Sequence, residues 1–225
     1  MTTISKETLE FLSLLSENNN REWFQEHKET YLKAKDNVDA FAQQVIDGFR
    51  EIEPQIPGEL TGKKSVMRIY RDVRFSKNKS PYKLNFAFYI SLSAKGVHSP
   101  GYYVQLQPGN SFIAGGMWMP DAPHLKSIRQ EIDYNGDDLL AILDSKSFKT
   151  YFKDGLSEED KLKTTPKGYD ADHPNIELLK LKSFTVSYPI KDEALYNKGI
   201  ISEVINCFKE IMPLNSFLKE AIASV

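Results

Sequence analysis

Residues 86–119 read FAFYISLSAKGVHSPGYYVQLQPGNSFIAGGMWM. Phe86, Phe88, Ile90 and Leu92 alternate with Ala87, Tyr89, Ser91 and Ser93, the two-residue period of a strand with unlike faces. His98-Ser99-Pro100-Gly101 turns the chain, and Tyr102, Val104 and Leu106 then alternate with Tyr103, Gln105 and Gln107. Pro108-Gly109-Asn110 turns it again into a third strand, Ser111 to Met119. Turns this short join antiparallel neighbours, because a parallel crossover takes roughly a dozen residues. The stretch therefore predicts a three-stranded antiparallel meander. One face is apolar, and the other carries Tyr89, Ser91, Tyr103 and Gln105. Gly115-Gly116 interrupts the third strand, which marks a bulge or a helix packing tightly over the sheet, or else room for a ligand on the backbone.

Immediately before the meander, RIYRDVRFSKNKSPYK at 68–83 carries Arg68, Arg71, Arg74, Lys77, Lys79 and Lys83 against one acid, Asp72. Those sixteen residues hold +5 in a chain of formal net charge −2, so the remainder carries −7 and the stretch inverts the local field. Val66, Met67, Ile69 and Tyr70 predict a strand leading into it, with Arg68 and Tyr70 beside the polar sheet face. A cationic loop between two strands suits an anionic ligand, since arginine forks grip phosphate or carboxylate and lysine adds point charge. The competing reading is a salt-bridge network around Asp72 that pins the loop. Pro81 stiffens it in either case.

Helices flank the sheet region. Ser5 caps a helix with Leu9, Phe11, Leu12, Leu14 and Leu15, the run Glu17-Asn18-Asn19-Asn20 stops it, and Asn20 caps the next. From Arg21 to about Glu53 apolar residues recur every three or four, with a break expected near Lys28–Thr30. Pro54 and Pro57 open a loop holding Gly58 and Gly62. After Pro120, Asp121 caps a helix with Leu125, Ile128 and Ile132, and another starts after Gly136. Residues 153–175 are polar and read as a long loop, uncommon inside a domain and often functional. A short helix at Asn175–Lys182, a strand through Phe184, Val186, Tyr188 and Ile190, and a last helix from Ile200 follow, with Pro213 expected to interrupt that helix.

Composition narrows the classes. A chain of 225 residues with 40% hydrophobic and 12% aromatic content is expected to form one globular domain, 1–225. Mean hydropathy is −0.45, and no apolar run nears the roughly 18 residues needed to span a bilayer. The N-terminus lacks the basic and apolar regions of a signal peptide, and a single cysteine, Cys207, suits a reducing compartment; cytoplasm is the expectation. Gly62-Lys63-Lys64-Ser65 lacks the glycine spacing of a phosphate loop, and the two S-x-x-K matches at Ser76 and Ser80 lack companion motifs. The histidines, His27, His98, His124 and His173, lie far apart in sequence, so no metal is expected.

Several stretches together resemble one family. They are NNNREWF at 18–24 with Lys28 and Tyr31, RIYRDVRFSKNKSPYK at 68–83, GGMWMP at 115–120, Leu125-x-x-Ile128-Arg129, and PKGYDADHP at 166–174. The chain is similar over nearly its whole length to the bacterial and fungal family called domain of unknown function 2461. That resemblance implies a single domain and assigns no catalytic residue.

The expectation is an α+β domain: an antiparallel sheet of four or five strands, with helices from both ends of the chain packed on one face. The expected function is binding of a phosphorylated or other anionic small molecule. Arg68, Arg71 and Arg74 would act as forks, Lys79 and Lys83 as steering charges, and Asp72 as orienter or general base. The alternative is a single-stranded nucleic-acid or protein-interaction module, in which Tyr70, Phe75, Tyr82 and Phe86 interleave with the cations. A pI near 6.1 argues against a broad nucleic-acid footprint, and Phe75 and Phe86 read as core anchors. Substrate, reaction, cofactor and oligomeric state are not read from the sequence.

Overall fold

The computed structural model describes residues 2–93 and 99–223. His98, in the first expected turn, lies outside the described residues. Four strands, β1 (Phe86–Ser91), β2 (Gly101–Leu106), β3 (Ser111–Met117) and β4 (Phe184–Ile190), form one antiparallel sheet in the order β1-β2-β3-β4. The meander stands, and the strand predicted at 184–190 pairs with its last member. The third strand stops at Met117, two residues early, because Met119 turns the chain with φ of 46° before Pro120. Helices pack on the sheet, giving an α+β fold among the described residues.

The segment before the meander is not the expected strand. It makes two isolated antiparallel bridges, Val66 with Phe88 and Tyr70 with Tyr82. The Met67 N–H donates to the Ala87 carbonyl (2.8 Å), then pairing passes to the chain's own return: Lys83 N–H to the Ile69 carbonyl (2.7 Å) and Arg71 N–H to the Pro81 carbonyl (2.9 Å). Pro81 has no N–H to give back, so the ladder ends there.

The N-terminal helices follow their caps. Ser5 accepts from the Thr8 N–H at the start of α1 (Lys6–Glu17), and Asn20 accepts from the Trp23 N–H at the start of α2 (Arg21–Glu26). The break before α3 (Lys28–Arg50) falls at His27, slightly ahead of the expected position. Its Nδ1 donates to the Trp23 carbonyl (2.9 Å) while its ring stacks on Trp23 (4.0 Å), so the side chain competes with the backbone there. Helix α3 buries Ala34, Val38, Phe41, Ala42, Val45, Ile46 and Phe49, the predicted stripe. Each large member contributes roughly 1.5–3 kcal/mol by leaving water. Gly62, expected in a loop, starts the one-turn α4 (Gly62–Ser65), where a side chain would strike the Asp39 carbonyl.

The chain divides into two compact units, each made of three stretches: 1–90, 103–113 and 189–206 in the first; 91–102, 114–188 and 207–225 in the second. In the first unit Phe41 of α3 meets Phe88 of β1 edge-on (6.1 Å), and the one-turn α8 (Asp192–Leu195) receives the Ile4 N–H at the Leu195 carbonyl. In the second unit the helices expected at 121 and after Gly136 run together as α5 (Ala122–Asp144), kinked at Asn135. The α6 turn (Lys146–Tyr151), the irregular stretch expected at 153–175 and α7 (Ile176–Leu179) follow.

Helix α9 (Ile200–Ala221) runs through Pro213, contrary to expectation. A mid-helix proline forfeits one hydrogen bond and costs about 3 kcal/mol. Burial holds the helix together regardless: Leu214 and Leu218 are wholly buried, and Asn215 donates from Nδ2 to the Gly101 carbonyl (3.1 Å). The strand glycines are explained by the same packing. A Cβ on Gly115 would run into Ile211 of α9, and one on Gly116, whose φ is +113°, into the Phe184 carbonyl of β4. The close-packing reading holds for both.

Candidate functional site

The cationic stretch is a self-bonded loop docked on aromatic rings. Tyr82 is buried and stacks on Phe24 of α2 (3.9 Å, 12° between planes), and Tyr70 lies 5.3 Å from Tyr82. Asn19, between α1 and α2, acts as a short strand partner. Its Nδ2 donates to the Tyr82 carbonyl (3.0 Å), and its Oδ1 accepts the Tyr82 N–H (3.1 Å). Folding thus joins the stretches NNNREWF and RIYRDVRFSKNKSPYK, forty residues and more apart in sequence.

The six candidate residues separate into two groups. Arg71 donates from Nη1 to the Ser80 carbonyl (2.9 Å) and from Nη2 to Ser76 Oγ (3.4 Å), closing the loop on itself. Lys79 donates to the Val73 carbonyl (2.9 Å). Arg74 grips Asp72 in a two-pronged pair, Nε to Oδ1 (3.0 Å) and Nη2 to Oδ2 (2.7 Å), on an exposed surface. Hydrogen bonds from the Arg74 side chain and backbone, with Arg68 a lesser influence, hold the Asp72 carboxyl below its ordinary range. Of the salt-bridge network expected as the alternative, only the exposed Arg74–Asp72 pair forms among the described residues; Arg71 and Lys79 hold the loop through carbonyls and a serine instead.

Arg68 and Lys83 are different. Neither side chain has a hydrogen-bond or ion-pair partner among the described residues. Lys83 is half-buried, and burial, then the like charge of Arg68, lowers its pKa. The two cations sit within electrostatic reach of each other, with the loop's one acid already held by Arg74.

Phe75, expected as a core anchor, is 95% exposed at the loop tip, with the Arg74 guanidinium 5.8 Å from its ring centre. The apolar spacing around it is too short to say which side faces inward, and Arg71 and Lys79 turn the tip outward by bonding its base. Phe86 is buried, as expected.

A second basic cluster was not expected. Lys126 and Arg129 on α5 and Lys167 on the 166–174 stretch line one groove in the second unit. Their sequence positions gave a signal only as quoted motif stretches; nothing in the spacing joins residues forty apart. Among the described residues no group of three or more His, Cys, Asp or Glu is arranged to hold a metal ion, and no helix is long and apolar enough to cross a membrane.

In comparisons with known proteins, residues 7–217 match a family described as conserved hypothetical protein (DUF2461). No curated protein and no solved structure matches the chain.

Proposed function

The chain belongs to that family of conserved hypothetical proteins, and from this premise we propose that it binds a phosphorylated or other anionic small molecule through Arg68 and Lys83. Arg71, Asp72, Arg74 and Lys79 frame the site and do not contact the ligand. The observation that carries the reading is a half-buried lysine within electrostatic reach of an arginine, neither side chain having a hydrogen-bond or ion-pair partner among the described residues. A partly desolvated ammonium beside a like charge is unfavourable, and an anion joining the two relieves it; Arg68 itself is exposed. Asp72 orients Arg74. It is a poor general base, since both its oxygens are bonded and its pKa is lowered. The same reading takes 1–225 as one domain working in the cytoplasm.

Inorganic phosphate tests it by thermal unfolding. A ligand at about a hundred times its dissociation constant stabilises by about 2.7 kcal/mol. Wild type should gain melting temperature with phosphate, Arg68→Gln and Lys83→Gln should lose most of that gain, and Arg74→Gln should keep it. Arg71→Gln should lower the baseline by about 1–3 kcal/mol by removing two loop bonds. The phosphate effect should weaken as pH rises past the lowered Lys83 pKa, because the uncharged amine no longer attracts the anion. Identical phosphate shifts in all four proteins would sink the proposal.

A second reading is favoured by Phe75 alone. An exposed ring beside the Arg74 guanidinium is a stacking platform for single-stranded nucleic acid. That reading requires affinity that falls with salt, by about 0.7 log units per phosphate contact for each log unit of salt, and that drops in Phe75→Ala.

A further inference from the structure

We propose a second ligand site, independent of the first: the groove between the N-terminal half of α5 and residues 167–169 binds a small anion that carries a planar ring. The groove measures about 490 Å³ and is lined by Lys126, Arg129, Asp133, Tyr134, Lys167 and Tyr169, among others. That volume falls within the span of small-molecule sites, roughly 300–1,000 Å³.

Charge sets the ligand's sign. Lys126, Arg129 and Asp133 recur at helical spacing along α5, and Lys167 comes from the opposing stretch, so the lining holds three cations and one carboxylate. The carboxylate does not neutralise them by contact. Asp133 accepts from His173 Nε2 (3.0 Å), and the His173 Nδ1 accepts the Asn175 N–H (3.0 Å), which leaves the ring proton on the nitrogen facing Asp133. Lys126 and Lys167 have no hydrogen-bond or ion-pair partner among the described residues. Arg129 donates from Nε to the Leu179 carbonyl (2.8 Å) and from Nη2 to the Leu181 carbonyl (3.3 Å). Those bonds fix the guanidinium and leave Nη1 for a ligand. Burial also lowers the Arg129 pKa, as expected of a cation drawn away from water without a carboxylate.

The walls set the ligand's shape. Tyr134, 73% exposed, and Tyr169 bring two rings to a groove that is otherwise cationic. Aromatic faces beside guanidinium and ammonium groups accept a flat ring bearing a negative substituent. Gly168 has φ of +97° and lines the groove between Lys167 and Tyr169, a backbone turn that a side chain would strain. The stretches 125–129 and 166–174 are thereby given a common purpose that the loop at 68–83 does not use.

Phenyl phosphate and inorganic phosphate are the probes, titrated calorimetrically into wild type, the double variant Lys126→Gln/Lys167→Gln, and Arg68→Gln. The two lysines are exposed and unpartnered, so their replacement leaves folding intact, which circular dichroism verifies. Wild type should bind phenyl phosphate saturably and more tightly than inorganic phosphate. The double variant should bind it at least about tenfold more weakly, the loss expected from removing charge-assisted contacts. Arg68→Gln, which lacks the loop site, should keep the tighter binding of phenyl phosphate that the double variant loses, which separates this site from the one at the loop. As a second readout, the Gly168 amide resonance should shift on addition of phenyl phosphate. Absence of saturable binding, undiminished affinity in the double variant, or loss in Arg68→Gln alone overturns the site. Equal affinity for the two probes overturns the ring requirement.

Discussion

At the scale of single residues, sequence neighbours with the same charge have different duties. Arg71 and Arg74 stand three apart, yet one bonds a backbone carbonyl and a serine within its own loop while the other holds an aspartate on the surface. Of the six candidate residues, Arg68 and Lys83, fifteen residues apart, are the two whose side chains have no hydrogen-bond or ion-pair partner among the described residues. The tightest steric constraint sits elsewhere, at Gly116. Its φ of +113° disfavours any side chain, and the Phe184 carbonyl occupies the place a Cβ would take. Gly116→Ala combines backbone strain with overpacking against main chain, which cannot swing aside as a side chain can. A destabilisation of about 3 kcal/mol or more is expected in urea unfolding. A change below about 1 kcal/mol would mean that β4 lies less closely against β3 in solution.

Among the elements, the long polar stretch after α6 is tied down at its edges. Ser157 N–H donates to the Thr185 carbonyl (2.8 Å) and Leu162 N–H to the Lys180 carbonyl (2.9 Å). Glu177 on α7 then takes Lys180 on one oxygen (2.8 Å) and Lys161 on the other (2.9 Å). Hydrogen bonds from Lys180 and then Lys161 bring its pKa down to about 2. A carboxylate whose folded pKa is depressed adds stability above its unfolded value, near 4.5, and loses it as pH falls toward 2. Wild type should therefore exceed Glu177→Gln in stability at neutral pH, and the difference should close between about pH 4.5 and 2. Direct titration of the Glu177 carboxyl by NMR checks the premise; a midpoint near 4.5 would show that the clip does not hold. Because this group is exposed, added salt should shrink the difference.

For the whole molecule, the division into two units does not follow the chain. All four strands and helix α9 each contribute residues to both. The single-domain reading proposed above requires the whole chain to unfold together. One cooperative transition is expected in thermal and denaturant unfolding, with fluorescence and circular dichroism superimposing. Two resolved transitions would assign the units to separate domains.

Features governed by neighbours along the chain were readable in the sequence. Period-two alternation located all four strands, and Ser5, Asn20 and Asp121 cap the helices they were expected to cap. Each depends on atoms within about four residues, so composition and spacing suffice. The position of Gly115-Gly116 could also be marked as special, though its cause could not: the colliding atoms belong to Phe184 and Ile211. The outcome for Pro213 depended on packing far from it in sequence, whereas Arg71, Arg74 and Lys79 met partners two to nine residues away in a loop whose conformation spacing does not define. A local rule assigns a cost to a mid-helix proline, but only the burial of Leu214 and Leu218 offsets it. The groove at Arg129 and Lys167 belongs to the same class. Charge pattern along a chain states how many cations there are; tertiary structure alone decides which of them meet an acid or a carbonyl, because that depends on distances folding creates.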